Sequence, residues 1–379
     1  MKKIVLDNKI VGVVGLGYSA GVPAEAPDNI IFDRVYIHGT ATGNFFNGIN
    51  AHFVNHFGLI DSYISDIHVV NNGGDSGIQV RHSLGPVKID NNYIEAADIN
   101  VFIGDNGNFA DNEIPTDVQI TRNTLFKPLS WKVGDPSYAG IHWTVKNLLE
   151  LKAARRVLIE GNLLENNWTD GQDGTAVLFT PRGGPVSDVT FRSNVLRGSE
   201  TGFNIIPADK AMWNVLLENN LLYNINYKLL NSAGSGGGPV TNFIIRHNTW
   251  VGAVTNSLMM LEQGSPAING FVVYDNLFTN GTYGVIGTGT APGLSTITTY
   301  VTNYDWNNNV LIGAPSQYST DSMFRGFFYA ASNSAVGFSG ASLVNITDFR
   351  LSASSAYKGR GTDSKDMGVD IDALNAAMQ

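Results

Sequence analysis

The sequence predicts an all-β chain folded as a single-stranded right-handed parallel β-helix of about ten coils with a short C-terminal capping helix. Three observations carry that expectation: a cassette repeated along the chain, a strand period inside it, and a second short strand ahead of most copies. The cassette is a run of alternating apolar residues, a polar residue, an asparagine and two or three further apolar positions. Its eight copies are VKIDNNYIE, VQITRNTLF, VLIEGNLLE, VTFRSNVLR, VLLENNLLY, FIIRHNTWV, FVVYDNLFT and YDWNNNVLI. They share Asn92, Asn123, Asn162, Asn194, Asn220, Asn248, Asn276 and Asn309, spaced by 31, 39, 32, 26, 28, 28 and 33 residues. Self-similarity at such a period marks a stacked repeat, in which each unit completes its buried face only against its neighbours.

Inside the cassette, apolar and polar residues alternate with a period of two, and β-branched and aromatic types dominate, so the unit is built from strands. Helical and leucine-rich repeats are thereby excluded. An asparagine between two strands tolerates the left-handed backbone of a sharp bend. Recurring coil after coil, these side chains can hydrogen-bond to one another as a buried ladder, which is a structural role. The segments SGIQV, INVFI, NLLEL, AVLFT, GFNII and LMMLE supply the strand before six of the cassettes. The segments IIFDRVYIHG and GLIDSYISDI fit the same frame without the asparagine and place coils from about residue 30. The right hand follows from the preferred sense of parallel crossovers.

Composition agrees with a turn-rich β chain. It contains 42 glycines, no cysteine, 43% hydrophobic and 15% charged residues. The lack of cysteine excludes disulfides, thiol catalysis and cysteine-ligated zinc. No apolar run reaches membrane-spanning length, and no linker divides the chain. We expect residues 1–29 to form a first coil or a weak signal-like segment, residues 30–350 the β-helix, and residues 351–379 the last coil and its cap. Ile371, Leu374 and Met378 have helical spacing, and a helix there would cover the last open coil.

The string KPLSWKVGDPSYAGIHWTVKNLLELKAARRVLIEGNLLENNW, with IIFDRVYIHGTA upstream and DFRLSASSAYKGRGTDSKDMGVDIDALNAA near the end, resembles bacterial right-handed parallel β-helix proteins of the pectate lyase-like superfamily. The resemblance spans about residues 30 to 375. It implies the fold, and it implies polysaccharide lyase activity in an extracellular or periplasmic setting. The chain departs from characterised pectate lyases in lacking their arginine motif and aspartate cluster.

Candidate functional residues come from the outward positions. Alternation places Gln79, Asn100, Glu150, Leu178 and Asn204 outside if Ile78, Val101, Leu149, Val177 and Phe203 are inside. A strip of amides with one carboxylate suits a sugar chain, whose hydroxyls need donors and acceptors. The longest interval, 39 residues, holds Trp131, Trp143, Tyr138 and His142. Residues 127–156 carry six basic side chains against two acidic ones, a balance of 6 − 2 = +4 within a chain of net charge −9. Such a basic, aromatic stretch concentrates an anionic ligand. The overall charge disfavours nucleic acid, whereas an acidic polysaccharide offers rings for stacking and carboxylates for pairing.

For β-elimination, Lys146 is the expected base or carbanion stabiliser, with Glu150 orienting it and His142 nearby as a second catalytic candidate. Gln79, Asn100, Lys127, Trp131, Trp143 and Arg182 are the expected substrate contacts, beneath a mobile loop at residues 128–145. The alternatives are a noncatalytic glycan-binding solenoid of the adhesin or phage-tail kind, a structural solenoid, and a glycoside hydrolase pairing Glu150 with Asp75, Asp170 or Asp173. The sequence assigns no metal ligand. Calcium is the cofactor kept in view, although residues 104–113, GDNGNFADNE, miss the calcium-loop spacing. The expected partner is an acidic polysaccharide, with no nucleic acid and no membrane, and the chain is expected to act as a monomer.

Overall fold

The computed structural model describes residues 4–6, 9–70, 74–233, 237–262, 267–313, 318, 324 and 326–379. The chain winds into an all-β parallel solenoid of about nine turns. Each turn contributes strands to three flanks, and every strand pairing between successive coils is parallel. One flank runs through Ile99–Ile103, Asn147–Leu151 and Thr175–Phe179, a second through Thr116–Thr121, Ala154–Glu160 and Val186–Arg192, and a third through Tyr93–Ala96, Thr124–Phe126 and Leu163–Glu165. The expected cassettes are the second flank, the asparagine corner and the third flank.

Register follows from the apolar columns. On the first flank Ile78, Val101, Leu149, Val177, Phe203 and Leu230 lie opposite one another in adjacent coils and are 0–1% exposed. A shift of one residue would turn that column to solvent, so burial fixes the pairing. Aromatic rings link this column to the third flank across the interior: Phe203 and Trp250 rings lie 5.6 Å apart, and Trp250 lies 4.9 Å from Phe278 of the next coil.

The eight asparagines form one unbroken ladder and are at most 3% exposed. The Asn220 Nδ2 donates to Asn248 Oδ1 and Phe191 O, each at 2.9 Å, and Asn194 donates to Asn220 Oδ1 from both its backbone N–H (2.9 Å) and its Nδ2 (3.2 Å). Ser62 receives the ladder's first member through its backbone N–H, bonded to Asn92 Oδ1 at 2.9 Å. The bend is made differently from the expectation. The left-handed residue is the one before each ladder asparagine, as at Asn91, Arg122, Asn219, His247, Asp275 and Asn308, all with φ between 49° and 61°. This frees the ladder asparagine to point its amide inward while its predecessor turns the chain.

The C-terminal helix is Ile371–Ala377, N-capped by Asp370, whose side chain accepts from the N–H groups of Asp372 and Ala373. It lies on a flank of the solenoid, beside Gly161 and Asn219: Asp370 N–H donates to Asn219 Oδ1 at 2.7 Å. A Cβ on Gly161 would come within 2.1 Å of Ala377 O, so glycine is required at that contact. The preceding segment spreads Val336, Phe349, Leu351, Tyr357, Met367 and Val369 over Val195, Leu221, Val251, Leu277 and Val310 of the third flank, forming a second apolar core outside the barrel. Among the described residues no helix is long and apolar enough to cross a membrane.

Candidate functional site

The first flank carries an open groove of about 380 Å³ lined by Asn147, Glu150, Lys152, Gln172, Asp173, Thr175, Leu178, Thr180, Arg182 and Asn204. Its floor is the outward row expected from alternation. Glu150 lies opposite Leu178, and Leu178 opposite Asn204, in successive coils. The groove therefore crosses strands along the solenoid axis, with one floor residue for each rise of about 4.8 Å.

Glu150 is 3% exposed, and its two oxygens are occupied separately. Asn147 Nδ2 donates to Oε2 at 3.0 Å, while Lys152 Nζ stands 3.4 Å from Oε1. Lys152 also donates to Asn106 Oδ1 at 2.8 Å, and its ammonium lies 4.8 Å from the Phe102 ring centroid. A second Asn147 Nδ2 bond, 3.1 Å to Gln172 Oε1, ties the floor to the wall, whereas its Oδ1 is buried without a partner. Arg182 is exposed, and among the described residues its guanidinium has no hydrogen bond or ion pair; its backbone N–H bonds Lys152 O at 2.9 Å. The groove thus combines one paired cation, one unpaired cation, a buried carboxylate and an exposed carboxylate, Asp173.

Other expected residues occupy different places. Gln79 lies on the floor row, but its in-register neighbour is Phe102, and Asn100 faces inward. The chain turns at this point, so Asn100 and Val101 are consecutive interior residues and simple alternation fails. Lys127 continues the alternation of Leu125 inside and Phe126 outside, and it is wholly buried. Its Nζ donates to Ala96 O (2.9 Å), Ala97 O (2.7 Å), Asp98 O (3.2 Å) and Asn100 Oδ1 (2.9 Å). Neither Lys127 nor Asn100 can reach a ligand on the surface. Burial pushes the Lys127 ammonium down to about 7, opposed by Asp75 and Asp98. Burial likewise raises Asp98 to about 6, against the pull of Lys146, and raises Asp75 well above the usual carboxylate range.

The tryptophans also turn inward. Trp131 and Trp143 are 6% and 2% exposed and pack with Trp168, Ala97 and Val145. His68 stacks on Trp143 at 3.7 Å and meets Trp131 edge-on at 5.2 Å. Burial in this cage lowers His68 to about 4. The loop at residues 128–145 is accordingly pinned, with Thr144 N–H on Val69 O at 3.1 Å, because its aromatic side chains bury more surface than a solvated loop would. Lys146 precedes the groove strand but donates to the buried Asp98 at 3.0 Å. Lys146 is thereby directed to Asp98 and is not among the residues that line the groove. His142 is exposed, with Nε2 2.5 Å from Asp170 Oδ1. Asp75 is fully buried and accepts the Asp98 N–H at 3.1 Å, outside the groove.

The acidic residues of 104–113 are engaged by basic groups. Asp105 pairs with Arg81 at 3.0 Å, Asp111 with Arg155 at 2.9 Å, and Glu113 lies 3.8 Å from His82. Lys152 was visible in the sequence only as part of a charge count. The signal that singles it out is its position two residues beyond Glu150, just past the end of the strand Asn147–Leu151.

Fold and groove together define a parallel β-solenoid with a polar cleft across one flank. No family model and no curated protein matches the chain. Among solved structures, it is similar to AlyGC, an alginate lyase of the PL6 family, with a TM-score of 0.35 and 13% sequence identity over 94% of this chain. The match spans 58% of that structure's length.

Proposed function

We propose that the groove binds an acidic, uronate-containing polysaccharide and cleaves it by β-elimination. The observation that carries this reading is the unpaired Arg182 guanidinium beside the Glu150–Lys152 pair, on a floor of amide, carboxylate and leucine side chains. Arg182 takes the uronate carboxylate, for which a guanidinium offers paired donors. Lys152 stabilises the carbanion that forms when the neighbouring proton leaves, and Glu150 with Asn147 keeps that ammonium in place. Asp173, the exposed carboxylate of the wall, receives the proton in place of Lys146; as the carbanion collapses to the double bond, the glycosidic C–O bond breaks and its oxygen leaves with a proton from water. Lys146, through Asp98, and His142, through Asp170, act as positioning residues for the strand and loop that frame the groove.

A second reading, hydrolysis, rests on the presence of both Glu150 and Asp173 in one groove, since glycoside hydrolysis uses two carboxylates. One experiment separates the readings. Purified protein is incubated with polygalacturonate, alginate and an uncharged glucan, and both reducing ends and the ultraviolet absorbance of unsaturated uronate are followed. New reducing ends with absorbance, abolished in Asp173→Asn, support β-elimination. Reducing ends alone establish hydrolysis. Binding without cleavage leaves a glycan-binding solenoid, and neither binding nor cleavage of any acidic polymer overturns the proposal.

A further inference from the structure

Away from the groove, the asparagine corner and the C-terminal segment bring together His247, Asp275 and Asp363, one donor atom from each lying within 4.8 Å of the others. His247 and Asp275 are the left-handed corner residues of adjacent coils, so the repeat itself stacks them one above the other. Asp363 arrives from the chain that crosses this corner after the last coil.

The spacing is informative. His247 Nε2 is 3.5 Å from Asp275 Oδ2 and 3.3 Å from Asp363 Oδ2, yet among the described residues the imidazole makes no hydrogen bond. A tetrahedral ion with ligand bonds of about 2.0 to 2.1 Å separates its ligands by about 3.3 to 3.4 Å. The two contacts therefore have the length of coordination-shell edges and exceed that of a charge-assisted hydrogen bond, about 2.7 to 2.9 Å. The outer contacts also suit ligation. Thr362 donates to Asp275 through its backbone N–H, 3.0 Å from each oxygen, and its Oγ1, 2.6 Å from Oδ2, and Asn308 Nδ2 donates to Oδ1 at 2.5 Å. These bonds fix the orientation of the carboxylate, with Oδ2 on the side that faces His247 Nε2. Asp363 Oδ1 is fixed by Lys365 N–H at 3.0 Å, and Lys365 Nζ lies 3.6 Å from Oδ2.

We infer that His247, Asp275 and Asp363 form a site for a divalent transition-metal ion of the zinc type, which clamps the C-terminal segment onto the solenoid. One imidazole and two carboxylates match the nitrogen and oxygen preference of such an ion, and the fourth position is open to water. Because Asp363 belongs to the crossing segment and the other two to the coils, occupancy ties together parts of the chain 88 residues or more apart.

The test uses the full chain after chelator dialysis. Titration with zinc chloride followed by calorimetry is expected to show one saturable site per chain and a rise in melting temperature. Asp363→Asn, at a partly exposed position that leaves the coils intact, should lose at least tenfold in zinc affinity. His247→Ala should lose the thermal response. Absence of saturable zinc binding in the parent chain overturns the inference, as does parent-like binding by Asp363→Asn. A melting temperature that responds to acid pH and to His247→Ala but not to zinc assigns the cluster to a protonated histidine bridge and equally overturns it.

Discussion

At the scale of the residue, the most consequential side chain is one that looked like surface charge. Lys127 is an ammonium enclosed by three carbonyls and an amide oxygen. Lys127→Met keeps most of the volume but strands those acceptors, and denaturation should show a loss of about 3 to 5 kcal/mol. The ladder responds more mildly. Asn220→Ala removes the amide donor and the Oδ1 acceptor of Asn194, at a cost of about 1 to 3 kcal/mol by urea denaturation. Asp98 gives a pH dependence of defined sign. Its folded-state value of about 6 lies above its ordinary 3.8, so the folded chain retains the proton more firmly than the unfolded chain does. Its contribution is fully present below about pH 4 and is lost as pH rises through about 6, amounting to at most about 3 kcal/mol. Asp98→Asn should flatten that limb of the stability–pH curve, and an unchanged limb would assign it to another group.

At the scale of the element, the long insertion is a packed plug, held by Trp131, Trp143 and Trp168 around His68 and Ala97. Trp143→Ala should cost about 3 to 5 kcal/mol and open residues 128–145 to limited proteolysis. Intact resistance to protease in that variant would show that backbone bonds alone hold the loop. The sequence revealed the concentration of aromatics but not their direction, because packing partners such as His68 and Ala97 are supplied by other coils. The same limit applied at Asn100. Strand alternation correctly placed Glu150 and Asn204 outward, but it failed where the chain turns and two successive residues, Asn100 and Val101, point inward.

At the scale of the whole molecule, a chain of net charge −9 offers an acidic polymer a groove where Arg182 and Lys152 offset the charges of Glu150 and Asp173. Polyuronate binding should weaken steeply as salt rises past about 0.1 M, where the screening length falls to about 10 Å. Arg182→Ala should reduce affinity about tenfold, one charge-assisted contact, and make binding less salt-sensitive. Unaltered affinity in that variant would place the polymer elsewhere on the solenoid. Stability at this scale is close to a sum over coils and their interfaces, so these substitutions should act locally and leave distant coils folded.

The sequence by itself determined the solenoid, the asparagine ladder, the outward row through Glu150 and the presence of a C-terminal helix. Each follows from a periodicity, and a periodicity is a local property repeated. Only the tertiary structure decided that Lys127 and the two tryptophans are interior, that Lys146 is held by Asp98, that the C-terminal segment lies along a flank, and that His247 meets Asp275 and Asp363. Those outcomes depend on which side chains from different coils compete for the same buried volume or the same charge partner, and no spacing along the chain encodes that.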